Sequence, residues 1–103
     1  MKDSDINLQE LTFLEQNMQN LLLQKQAFQM EISETTSALN EIKKSSDDVF
    51  KIVGQLMIRA NKGEILSELQ EKEKLLNLRI SSLNKQEENL NQKILSLREK
   101  VLN

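Results

Sequence analysis

The ionisable side chains of this chain are carboxylates, ammoniums and guanidiniums. There are 16 Asp and Glu against 14 Lys and Arg, a formal net charge of −2, and no His or Cys. An imidazole base, a thiolate nucleophile, a disulfide frame and a zinc finger are therefore all excluded. Two carboxylates can work as general acid and base only around a reacting atom screened from water. Here the charges fall instead at helical spacing, as in Glu68 with Lys72 or Lys85 with Glu88, where opposite charges support a solvated helix face. No enzyme activity, no metal and no cofactor are expected. Clustered Lys/Arg and stacking aromatics are both lacking, which argues against a nucleic-acid partner. No apolar run approaches a membrane span, and no signal-peptide core follows the acidic N-terminus, so a soluble, cytoplasmic chain is expected.

The elements that must position these residues follow from composition and period. With 38% apolar but 3% aromatic residues, 29% charged, 2 Gly and no Pro in 103 residues, the chain suits long helices in a single domain, 1–103. A first helical arm is expected over 5–45. With Leu11 labelled a in a heptad, the a and d slots are Asn7, Leu11, Leu14, Met18, Leu21, Lys25, Phe28, Ile32, Thr35, Leu39 and Ile42. Alternating steps of three and four keep these on one stripe, the mark of a coiled-coil seam. A second arm over 63–103 repeats the design. Its a slots are Leu66, Glu73, Ile80, Glu87, Ile94 and Val101, and its d slots are Leu69, Leu76, Leu83, Leu90 and Leu97.

Between the arms, over 46–62, the period changes. Ser45, Ser46, Asp47 and Asp48 form a turn-like break, because short polar side chains bond to nearby backbone. Val49–Val53 and Leu56–Ala60 are β-rich runs separated by Gly54-Gln55. A two-residue loop that opens with Gly fits a type II′ hairpin, which needs positive φ there. The competing reading is a continuous helix with a local defect. If the hairpin reverses the chain about Gly54, the arms pair antiparallel. Leu11 then meets Leu97, Leu14 meets Ile94, Met18 meets Leu90, Phe28 meets Ile80, Ile32 meets Leu76, Leu39 meets Leu69, and Ile42 meets Leu66. Thr35 faces Glu73 in the same frame. Lys25 and Glu87 fall in adjacent layers and are expected to pair, fixing register more than adding stability.

The hairpin is apolar on both faces, yet the chain supplies nothing to cover it. An isolated two-stranded hairpin is marginal in water and its open edges invite further pairing. Val49, Phe50, Ile52, Val53, Gly54, Leu56, Met57 and Ile58 are therefore expected to join strands of other chains in a shared sheet or barrel. Oligomerisation is a structural requirement of this reading.

These residues together resemble the β-type subunits of the prefoldin family, and most nearly the archaeal ones. The resemblance rests on Leu22-Leu23-Gln24-Lys25-Gln26, Ala38-Leu39-Asn40-Glu41-Ile42, the Asp47-Asp48 pair with Val49–Gly54 after it, Glu68-Leu69-Gln70-Glu71-Lys72, and Leu83-Asn84-Lys85-Gln86-Glu87. Ser46 stands where the family often has Pro, and Phe50 where it commonly has Tyr. An α-type member has two hairpins, and 47–63 has room for one. The resemblance implies a cytoplasmic hexamer of two α-type and four β-type subunits whose hairpins merge into a double β-barrel platform. It further implies coiled-coil tips that hold non-native polypeptides without nucleotide hydrolysis and pass them to a group II chaperonin. No phosphate-binding loop is present, in keeping with that.

The tips are the two chain ends, where apolar residues exceed what the seam needs. Ile6, Leu8, Phe13, Leu95 and Leu102 lie off the stripe; Leu11, Leu14, Leu97 and Val101 join them if the last layers fray. These nine are the expected client-binding residues, because apolar contact is non-directional and suits many sequences. Leu22, Leu23, Leu75 and Leu78, nearer mid-coil, read as surface or a secondary contact. The alternative from another class is a coiled-coil scaffold that docks one folded partner.

Overall fold

A computed structural model describes residues 3–46 and 48–102, so Asp47 and Asn103 of the expected elements lie outside the described residues. The order is α1 (Asp3–Lys44), β1 (Val49–Val53), β2 (Leu56–Ala60) and α2 (Lys62–Leu102). Both helices run without a proline, and their ends carry charges that suit the helix dipole. Asp3 and Asp5 sit in the first turn of α1 and Lys43 and Lys44 in its last.

The junctions are closed by local hydrogen bonds. At the end of α1 the Ser45 N–H is shared between the carbonyls of Glu41 and Ile42, at 3.0 and 3.2 Å, a common terminal arrangement. Lys62 Nζ donates to the Ser45 carbonyl at 2.6 Å, so the first residue of α2 caps the negative end of α1. Asn61 caps α2. Its Oδ1 accepts from the Glu64 N–H at 3.1 Å, and its carbonyl accepts from the Ile65 N–H at 3.0 Å. A Cβ at Gly63 would lie 3.2 Å from that Oδ1, so the missing side chain leaves room for the cap.

The strands pair antiparallel from Val49↔Ala60 to Val53↔Leu56, the register expected for a loop of Gly54 and Gln55. Gly54 has φ 62°, and no other described residue has positive φ. Positive φ at the first central residue alone is the mark of a type II′ turn. The continuous-helix reading is thereby excluded.

The paired helices comprise two compact units, Met1–Phe28 with Arg79–Asn103, and Gln29–Leu78. In the first, Leu11, Ile94 and Leu97 are buried, and Leu14, Met18, Leu90 and Val101 pack against them. In the second, Thr35, Leu39 and Leu76 are buried, with Ile32, Ile42, Leu66 and Leu69 half-buried. Every expected a and d slot is buried or half-buried, yet no described side chain is sealed off completely. That is the burial of a seam one layer thick.

The polar slots resolve individually. Lys25 Nζ donates to Glu87 Oε2 at 2.7 Å, with side chains 22% and 32% exposed. Thr35 does not reach Glu73. Its hydroxyl turns back to the Glu31 carbonyl at 2.8 Å, which satisfies it within its own helix. Glu73 leans out of the seam and accepts from the Thr36 hydroxyl at 3.0 Å. Glu68 and Lys72 likewise find partners on other elements, Lys51 at 3.4 Å and Glu31 at 3.2 Å. Long charged side chains reach whichever opposite charge lies nearest, and exposed pairs of this kind contribute about 0–1 kcal/mol each.

Candidate binding and assembly surfaces

Among the described residues, the expected assembly and client-binding positions lie on two surfaces, one in each unit. The hairpin is the first. Cross-strand partners project to the same face, so Val49, Lys51, Val53, Leu56, Ile58 and Ala60 share one face, and Phe50, Ile52, Met57 and Arg59 the other. Val49 is half-buried; Phe50, Ile52, Val53, Leu56, Met57 and Ile58 are all exposed. The sheet has two strands only among the described residues, which leaves the outer edge of each unpaired. The charges on both faces are drawn aside, Lys51 to Glu68 and Arg59 to Asp48 at 3.2 Å. What is left is apolar. Ile52, Leu56 and Met57 are 71%, 67% and 69% exposed, and covering each stabilises an assembly by roughly 1–2 kcal/mol.

The second surface lies where the chain ends pair. The structure divides the nine expected client-binding residues. Ile6, Leu8, Phe13, Leu95 and Leu102 are exposed, whereas Leu11 and Leu97 are buried in the seam and Leu14 and Val101 pack against it. Leu11 and Leu97 become accessible only when these layers open, and Leu14 and Val101 are half-buried. Nor do the five exposed residues form one patch. Ile6 and Phe13 occupy c positions, on the side of α1 where Glu10 and Asn17 face Lys93 and Lys100. Leu8, Leu95 and Leu102 occupy e and b positions, on the side where Glu15 and Arg98 meet at 3.3 Å. The stripes therefore flank opposite sides of the seam. Sequence reasoning placed these residues at the ends but missed this division and the Glu15–Arg98 bridge. The signal was present: in an antiparallel pair e positions face e, and g positions face g. Leu22, Leu23, Leu75 and Leu78 are also exposed.

Neither surface encloses space around a reacting atom. Among the described residues no cluster of three metal-ligating side chains occurs, and no helix is long and apolar enough to cross a membrane.

Two long helices folded back through a single hairpin, with an apolar bend and apolar ends, describe a class of coiled-coil chaperone subunit. The family model described as prefoldin subunit matches residues 6–103, and the chain belongs to that family. Its similarity is to β subunits. It is 38% identical over 96 residues to prefoldin subunit beta of Pyrococcus furiosus, covering 91% of this chain and 82% of that one. It is 36% identical to prefoldin subunit beta of Methanothrix thermoacetophila, covering 91% and 80%. The crystal structure of the prefoldin beta subunit from Thermococcus strain KS-1 superposes with a TM-score of 0.91 at 32% identity, covering 98% of this chain and 90% of that one. Members of the family are non-enzymatic chaperone subunits that form hetero-oligomers with other prefoldin subunits.

Proposed function

We propose that this chain is a cytoplasmic holdase subunit that works without ATP, binding non-native polypeptides at the paired chain ends and delivering them to a group II chaperonin. Its hairpin joins the strands of α-type subunits and of further β-type copies, completing a shared barrel. The observation that carries the reading is the set of exposed apolar side chains at those ends, Ile6, Leu8, Phe13, Leu95 and Leu102. They add nothing to the seam, and in water each is a cost that a client removes. A single such contact is weak; several copies held in one assembly act on one client together and gain avidity.

The test is light scattering from several unrelated unfolded clients, with the complex assembled from this chain and an α-type partner. Wild type suppresses aggregation broadly and without nucleotide. Serine at the five exposed positions removes most of the suppression while leaving assembly intact. Tight binding of one folded partner, with no suppression, would establish the scaffold instead. Handover is read by adding a group II chaperonin and following release of a labelled client.

A further inference from the structure

The hairpin carries charge of one sign only. Val49–Ala60 holds Lys51 and Arg59 and no carboxylate. The two cations stand in adjacent rungs of the ladder, opposite Ile58 and Phe50, one on each face. Beyond them toward the turn, Ile52, Val53, Leu56 and Met57 are all apolar. Each cation is met from outside the strands. Lys51 Nζ lies 3.4 Å from Glu68 Oε2 on α2, and Arg59 Nη2 lies 3.2 Å from Asp48 Oδ2 just ahead of β1. All four side chains are more than half exposed, and solvated pairs add little to a fold. The protomer alone gives these bridges little to do. Their weight changes once the hairpin is covered, because a cation buried without a partner is costly and one buried with its counterion is much less so. Two like hairpins side by side bring four cations and no carboxylate within their strands, and like charges across a strand pair are destabilising. A neighbour with acidic strands would supply counterions itself. A second copy of this chain has to find them off the sheet, which is where Asp48 and Glu68 stand.

We infer that Asp48 and Glu68 are assembly residues: they neutralise Arg59 and Lys51 so that the hairpins of two copies of this chain lie side by side. The inference rests on the proposed sharing of strands between subunits, and it names the residues that permit a like neighbour. Both counterions lie on the coil side of the hairpin. The bridges therefore also hold the ammonium and the guanidinium away from Ile52, Val53, Leu56 and Met57 at the turn end, which stays free to pack. The pairs do little for the lone chain and much for the assembly, and that contrast separates this role from an ordinary surface bridge.

The experiment mixes the full chain with α-type subunits over a concentration series and counts the copies of this chain in each complex by native mass measurement. Asp48→Asn with Glu68→Gln leaves both cations bare. The concentration at which complexes with two or more copies are half-formed should rise roughly tenfold. Complexes with a single copy should form as in wild type, and helix content by circular dichroism should not move. Adding Lys51→Met and Arg59→Met to the same chain removes the cations and should return assembly to within about threefold of wild type. A role for Asp48 and Glu68 in local folding would not be rescued in this way. Wild-type assembly by the double variant, or failure of the fourfold variant to recover, overturns the inference. So does an equal loss of every complex, which would give the hairpin a neighbour other than a second copy, and so does a wild-type complex that never holds two copies. These outcomes leave the shared-strand reading standing. Wild-type chain that forms no multi-chain complex removes that reading, and the inference with it.

Discussion

Reversing the charge at one member of the Lys25–Glu87 pair tests how the seam sets its register. The two side chains meet at 2.7 Å and are 22% and 32% exposed, between layers that hold the buried Leu21 and Leu83. Exposed pairs contribute about 0.2–1 kcal/mol, and removing one partner of a fully buried pair costs about 3–5 kcal/mol. A half-buried pair lies between these limits. Lys25→Glu places a second carboxylate beside Glu87, and Glu87→Lys a second ammonium beside Lys25; each should cost about 2–3 kcal/mol. The double swap restores the attraction and should return to within about 1 kcal/mol of wild type, a coupling well outside additivity. Urea unfolding of the assembled complex, followed by circular dichroism at fixed protein concentration, measures all four corners of the cycle. Additive losses, with the double swap as damaged as the two singles together, would refute the pairing as a register device. Leucine at both positions refines the same test. It should leave stability unchanged or raised, because apolar replacement of a desolvated ion pair is often neutral or better.

Three further outcomes follow from the bend. Gly54→Ala forces a Cβ onto a residue at φ 62° and should cost about 1–2 kcal/mol, read as a lower urea midpoint of the assembled complex. Asn61→Ala removes the α2 cap and should cost about 1 kcal/mol; faster amide exchange confined to the first turn of α2 identifies the lesion, and Asn61→Asp should restore protection. Lys62→Met deletes the charged donor on the Ser45 carbonyl and should cost about 1–2 kcal/mol, with loss of exchange protection in the last turn of α1.

What was legible in the sequence is what short-range periodicity controls. Leu66, Leu69, Leu76, Leu83, Leu90 and Leu97 fall on one stripe whatever their partner, so the seam followed from spacing. Gly54 followed in the same way, because a two-residue hairpin loop needs positive φ at its first residue. The choices that depend on reach across space did not follow. Glu68 has Lys72 one turn away but meets Lys51; Thr35 satisfies its hydroxyl on Glu31 and leaves Glu73 to Thr36. Lys62 reads as an ordinary first-turn lysine until the hairpin brings it to Ser45. At the ends, counting apolar residues off the stripe gave Ile6, Leu8, Phe13, Leu95 and Leu102, while their separation onto opposite sides required the antiparallel pairing of e with e and g with g.

The most direct test of the account is hydrogen exchange at the hairpin, before and after mixing the chain with α-type subunits, with the mass of each species recorded under native conditions. The amides on the outer edges of Val49–Val53 and Leu56–Ala60 should exchange freely in the lone chain. They should become strongly protected as the mass rises to that of a multi-chain complex, and Ile52→Asp with Met57→Asp should prevent both changes. A monomer whose hairpin is already protected, or a complex that forms while these edges still exchange freely, would contradict it.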